Sequence, residues 1–176
     1  PHLSDGMAVL VCPGSCAGAI AFKRAAGLGL DDERCIVGET STLPYASRAS
    51  LHASVRIFHR FDTGFSAAAA PRSNTPRLLE VLRLVYRNTE EAAGIFQTTL
   101  QNGNPVIHPA VTLLNAALIE RTGGDFMFYE EGVTEAVGRL MKAVDGERLS
   151  VARALGVEIH LAFVASRRRT SFITVT

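Results

Sequence analysis

The feature that most constrains this chain is an uninterrupted apolar run, Met7 to Cys12, followed at once by Pro13-Gly14-Ser15 and an alanine-rich stretch. A run without polar alternation is the pattern of a strand buried on both faces. The Pro-Gly pair marks a tight turn, and Ser15 stands where a helix N-cap belongs. Cys16 to Leu28 then predicts a helix closed by Gly29. Asp31-Asp32-Glu33 leads into a second short strand, Arg34 to Glu39. Strand, turn, helix, strand is the βαβ unit of a parallel sheet.

Two more strands are expected, Val55 to Phe61 and Phe65 to Ala70, the latter closed by Pro71. Thr75 to Tyr86 predicts an amphipathic helix with Leu78, Leu79, Leu82 and Val85 on one face. From about Thr89 the strand-like runs stop and helical periods dominate. The expected helices are Glu90 to Leu100, Pro109 to Arg121, Thr134 to Val144 and Glu147 to Leu155. Pro109 suits a first turn, and Gly123-Gly124 and Gly156 suit helix ends. The organisation read from the sequence is an α/β half, residues 1–90, followed by an all-α half, residues 91–176.

Composition narrows the function classes. Hydrophobic residues make up 47% and charged residues 20% of the 176, which fits a chain with a sizeable core. The 18 basic and 17 acidic side chains nearly cancel, so nucleic acid and anionic membranes are not expected partners. The run Arg167-Arg168-Arg169 reads as solvated charge. Cys12, Cys16 and Cys35 are odd in number, and no second Cys or His pair complements Cys12 and Cys16 as a metal site. Reduced thiols, no metal and a cytoplasmic location are the expectation. No apolar stretch has the length of a transmembrane helix.

Candidate chemistry gathers at three places. In open parallel sheets, ligands bind beyond the carboxyl ends of the strands. One such end is Cys12-Pro13-Gly14, where Gly14 either admits a ligand close to the backbone or only makes the turn. The other is Glu39-Thr40-Ser41, where Glu39 either faces a ligand or is a solvated loop residue. The dinucleotide fingerprint GxGxxG is absent, since Gly27-Leu28-Gly29 sits at a helix end. The third place is His108, between Pro105 and Pro109. If His108 caps the helix that Pro109 opens, Thr112 and Asn115 follow four and seven residues on, along the same face. An imidazole, a hydroxyl and a carboxamide together suit binding and proton transfer at a polarised carbonyl or imine. The alternative is a capping histidine beside an asparagine engaged in helix packing. His52 and His59 lack a paired carboxylate at helical spacing, His2 and His160 lie near the ends, and Glu130-Glu131 reads as solvated charge at a helix start. No nucleophile elbow, HExxH or P-loop occurs.

The stretch Gln101-Asn102-Gly103-Asn104-Pro105-Val106-Ile107-His108-Pro109 resembles the start of the helical domain of the octopine/nopaline (opine) dehydrogenase family. Leu113-Leu114-Asn115, Phe128-Tyr129-Glu130-Glu131-Gly132-Val133-Thr134, Asp145-Gly146-Glu147-Arg148 and Ala154-Leu155-Gly156 continue the likeness in order. Pro13-Gly14 and Glu39-Thr40-Ser41-Thr42-Leu43-Pro44-Tyr45-Ala46 resemble the second half of that family's nucleotide-binding domain. The resemblance implies the second half of a Rossmann-type domain followed by the start of a helical dehydrogenase domain. It implies an NAD- or NADP-dependent oxidoreductase that condenses an amino acid with a 2-oxo acid and reduces the imine. His108 is then the counterpart of the catalytic acid/base histidine. Asn115, Thr112 and Asn104 bind substrate, and Gly14 and Glu39 line the nicotinamide end of the cleft.

The sequence departs from the family pattern too. It lacks the first strand and glycine fingerprint, and the carboxylate that orients the histidine in relatives. Residue 1 is Pro, and His160 to Thr176 does not resemble the family's continuation, so the chain reads as an internal fragment. Weak NAD(P)H binding and little turnover are expected of it alone. The competing readings are a two-domain hydroxyacid-type dehydrogenase and a non-catalytic helical module, whose apolar faces after residue 90 would suit a homodimer.

Overall fold

The computed structural model describes residues 3–50, 53–60 and 65–161. His2, His52 and Arg167-Arg168-Arg169 lie outside the described residues, as does most of the stretch from His160 to Thr176. The chain divides into two compact units, one up to Asn102 and one from Gly103 onwards.

In the first unit, β1 (Ala8–Val11) and β2 (Ile36–Thr40) pair in parallel, with Val9 opposite Val37, and α1 (Gly18–Ala25) makes the crossover. The expected βαβ unit is present. All five residues of β2 are buried. The chain then departs from the all-parallel plan. A hairpin of β3 (Tyr45–Ser50) and β4 (Ser54–Arg60) follows, and β5 (Ser66–Ala70) runs antiparallel to β2. A parallel return needs a crossover that carries the chain back along the sheet. The hairpin instead leaves and re-enters beside the end of β2, with Ser41 N–H bonded to the Ser66 carbonyl at 2.9 Å. Beyond β5, α2 (Thr75–Arg83) crosses to β6 (Glu90–Glu91), which pairs in parallel with β5. The sheet order is β1-β2-β5-β6.

The expected apolar face of α2 forms through Leu78, Leu79 and Leu82, all buried, whereas Val85 lies beyond the helix end and is 65% exposed. Gly38 makes this packing possible, because a Cβ there would overlap Leu78 Cδ2. Burying a leucine side chain of this kind stabilises the fold by about 1.5–3 kcal/mol. On α1, Lys23 is fully buried. Its Nζ donates to the carbonyls of Leu30, Asp32 and Ala70 at 3.0, 2.6 and 3.0 Å. Three acceptors replace the water an ammonium loses, which is the condition for burying it.

The helix expected over Glu90 to Leu100 is instead β6 followed by α3 (Ile95–Gln101). The Ala92 N–H bonds the Ala67 carbonyl at 3.0 Å, so sheet pairing overrides the helical propensity of the glutamates. The first unit therefore extends through Asn102, past the change of character at residue 90.

The second unit holds α4 (Asn104–Leu114), α5 (Ala116–Thr122) and α6 (Glu135–Ala154). Val106, Ile107, Ala110 and Val111 of α4 pack against Val137 and Met141 of α6. Helix α4 starts a turn earlier than expected. Pro105 occupies its first turn, and Pro109 lies inside it. Pro109 has no N–H to give the Pro105 carbonyl, a loss of one bond near the helix start, and the buried face outweighs it. The two helices expected over Thr134 to Leu155 are one. A glycine inside a helix costs about 1 kcal/mol relative to alanine. Around Gly146 the helix is tied by Arg148 Nε donating to Asp145 Oδ1 at 2.7 Å, with both side chains buried.

Candidate functional site

Two groups of polar side chains emerge, one in each unit. In the first, the end of β2 delivers Glu39 to the start of α1. Glu39 Oε2 accepts the Ala19 N–H at 2.9 Å, and Oε1 accepts the hydroxyls of Thr98 and Thr99 at 2.7 and 3.0 Å. Thr99 Oγ1 accepts the Ala17 N–H at 2.9 Å. The carboxylate is fully buried. A Cβ on Gly14 would overlap its carboxyl carbon. Gly14 and Glu39 thus meet as expected at neighbouring strand ends, but they fill each other's space. At the start of α1 the Ala19 N–H is already donated to the carboxylate and the Ala17 N–H to the Thr99 hydroxyl. These residues do not fit a dinucleotide cradle; they form a clasp between β2, α1 and α3. Thr98 and Thr99 were not singled out from the sequence, where only their adjacency marks them.

Cys12 sits beside this clasp, with the Thr40 hydroxyl 3.1 Å from its Sγ. Burial pushes its thiol up, and the Thr40 contact offsets only part of that. Among the described residues, no group of three or more His, Cys, Asp and Glu is placed to hold a metal ion. No helix among them is long and apolar enough to cross a membrane.

The second group surrounds His108. The residue lies inside α4 rather than capping it. Its Nε2 is 2.9 Å from the Tyr129 hydroxyl. Its ring stands 5.7 Å from that of Phe128 and 6.2 Å from that of Tyr129. Burial among these rings pushes the His108 imidazole below its ordinary value of 6.5. Asn115 follows along the helix and binds the same connecting segment. Its Nδ2 donates to the Val111 carbonyl at 2.8 Å and to the Gly132 carbonyl at 2.9 Å. The segment from Phe128 to Gly132 is thus held against α4 at both ends. Gly132 is required there, since a Cβ would overlap the Phe128 carbonyl oxygen. Thr112 is exposed, and Asn104 begins α4. Asn115 and His108 are thereby tied to one loop, with the asparagine amide engaged by backbone. Tyr129 was legible only as part of a motif, not as the partner of His108.

A half-buried imidazole beside a phenol thus lies on an α-helical unit that follows an α/β unit. The chain has the fold of octopine dehydrogenase solved with NADH and agmatine, at a TM-score of 0.60 and 17% identity over 88% of this chain and 39% of that one. The octopine dehydrogenase structure with NADH and pyruvate gives a TM-score of 0.60 at 16% identity, over 88% of this chain and 40% of that one. An opine dehydrogenase of Arthrobacter sp. (strain 1C) is 30% identical over 158 residues, 90% of this chain and 43% of that protein. A vitopine synthase of Allorhizobium ampelinum is 36% identical over 80 residues, 45% of this chain and 21% of that protein. Residues 91–167 match the α-helical domain of NAD/NADP octopine/nopaline dehydrogenases. Through that stretch the chain is similar to the octopine/nopaline dehydrogenase family. It spans less than half the length of these relatives.

Proposed function

We propose that the chain carries the acid–base portion of an NAD- or NADP-dependent opine dehydrogenase, with His108 as the proton-transferring group. The observation that supports this reading most is the placement of His108: half-buried in α4, hydrogen-bonded to Tyr129, within the segment that matches the family's helical domain. The substrates are an amino acid and a 2-oxo acid, the classes represented by L-arginine and pyruvate in the solved octopine dehydrogenases. His108 gives a proton to the carbonyl oxygen or imine nitrogen as that group is reduced, and takes one in the reverse direction. The nicotinamide cofactor supplies the hydride. Because Gly14 and Glu39 are closed on each other, no step is assigned to their contact with it. Asn115 contributes by fixing the loop that carries Tyr129, and Thr112 and Asn104 present polar groups on the same helix.

Supplying the two substrates separately and together, at NAD(P)H well above micromolar concentration and with enough protein to read slow turnover, tests the reading. NAD(P)H consumption only when both are present supports it. Consumption with the oxo acid alone overturns it in favour of a hydroxyacid dehydrogenase.

A further inference from the structure

We propose that Tyr129 is the positioning residue of His108 and its proton link to solvent, an inference that rests on His108 being the acid–base group. The Tyr129 hydroxyl lies 2.9 Å from His108 Nε2, so one ring nitrogen is occupied within the protein. The direction of that bond follows from acidity. A phenol, with a pKa near 10, is a far stronger acid than a neutral imidazole N–H, and an imidazole nitrogen is a better base than a phenol oxygen. Tyr129 therefore donates, Nε2 accepts, and the ring proton resides on Nδ1. That leaves Nδ1–H as the group free to meet a carbonyl or imine.

The surroundings suit a relay. Phe128 packs edge-on against the Tyr129 ring at 5.0 Å and stands 5.7 Å from the His108 ring, which limits the rotation of both. Tyr129 is 41% exposed as a residue, whereas His108 is more enclosed, so the phenol is the member of the pair nearer to solvent. In the reductive direction the Nδ1–H bond breaks as its proton passes to the substrate atom. The phenolic O–H breaks as its proton moves to Nε2, and water returns a proton to the phenolate oxygen. The substrate has gained one solvent proton and the neutral ring now carries its proton on Nε2. Release of that proton through the Tyr129 hydroxyl, with uptake of a solvent proton at Nδ1 once product has left, restores the starting tautomer. In the oxidative direction each transfer reverses.

The test reads the tautomer directly in the 176-residue chain. Long-range proton–nitrogen spectra of the 15N-labelled protein, recorded above the histidine's titration, report which ring nitrogen is protonated. His108→Gln assigns the signals. The expected result is a predominantly Nδ1–H ring in the wild type and loss of that preference in Tyr129→Phe, which keeps the aromatic packing. The same tautomer in both proteins overturns the proposal. A wild-type ring protonated on Nε2 also overturns it, and this result needs no variant to fold. Failure of the functional reading is a separate outcome: His108 signals that do not respond to a 2-oxo acid would remove the substrate role while leaving the tautomer result standing.

Discussion

The Nε2 atom of His108 and the hydroxyl of Tyr129 stand 2.9 Å apart, although the first belongs to a helix and the second to the segment that precedes the next long helix. The contact gives the imidazole a fixed partner and places it among rings that reduce its access to water. Both effects bear on how it titrates.

His108 should titrate below 6.5, because burial disfavours its charged form. The sign of the stability effect follows. The unfolded chain binds the proton at higher pH than the folded one, so this contribution is complete above about pH 6.5 and is lost as pH falls through the folded value. Histidine NMR titration gives the midpoint. Urea unfolding from about pH 8 to about pH 5 should show a decline that is smaller in His108→Gln. A midpoint at or above 6.5 would contradict the burial.

Gly14→Ala should destabilise the first unit by about 1–3 kcal/mol, because its Cβ would overlap the Glu39 carboxyl group and neither group has room to retreat. Glu39→Gln should be milder than Glu39→Ala. The amide oxygen can still accept from two of its donors, while alanine leaves the Ala19 N–H and two threonine hydroxyls without their acceptor. Denaturant midpoints of the three variants give the order.

Asn115→Ala should lower stability by about 1–3 kcal/mol, since the Val111 and Gly132 carbonyls both lose a donor. It should also loosen Tyr129 from His108 by releasing the end of their shared loop. Chemical-shift changes at His108 in Asn115→Ala are the check, and an unchanged His108 spectrum would show that the loop is held without the amide.

NADH should bind this chain weakly. The sequence has no GxGxxG motif, and the α1 amides that could receive phosphate are engaged by Glu39 and Thr99. Fluorescence titration of NADH should show no micromolar saturation, and saturation in that range would contradict the account of the clasp.

The fold was legible where hydrophobic pattern dominates. Strands β1, β2 and β5 and helix α2 follow from runs and periods whose burial leaves few alternatives. The hairpin strand β3 was missed because Tyr45 to Ser50 is small and polar, with no continuous run. Strand β6 was missed because two glutamates look helical until a neighbouring edge pairs them. The start of α4 was displaced because two prolines read as boundaries, although one suits a first turn and the other costs a single bond. Helix α6 looked broken at Gly146 because the buried Asp145–Arg148 pair that ties it there is a tertiary feature.

The site was legible in part for the same reasons. His108 stood out through its flanking prolines and the run of motifs around it. Its partner did not, since Tyr129 reaches it across a loop whose path depends on Asn115 and Gly132. The burial of Glu39 was also hidden, because a carboxylate at a strand end is ordinarily solvated. The hydroxyls arriving from α3, with the Ala19 N–H, make an enclosed position tenable.

The central claim is that His108 faces a 2-oxo acid, and pyruvate added to the 15N-labelled chain tests it most directly. The account predicts saturable shifts of the His108 ring nitrogens, with smaller effects at other histidines and loss of pyruvate binding in His108→Gln. Ring signals that stay fixed throughout the titration would contradict it.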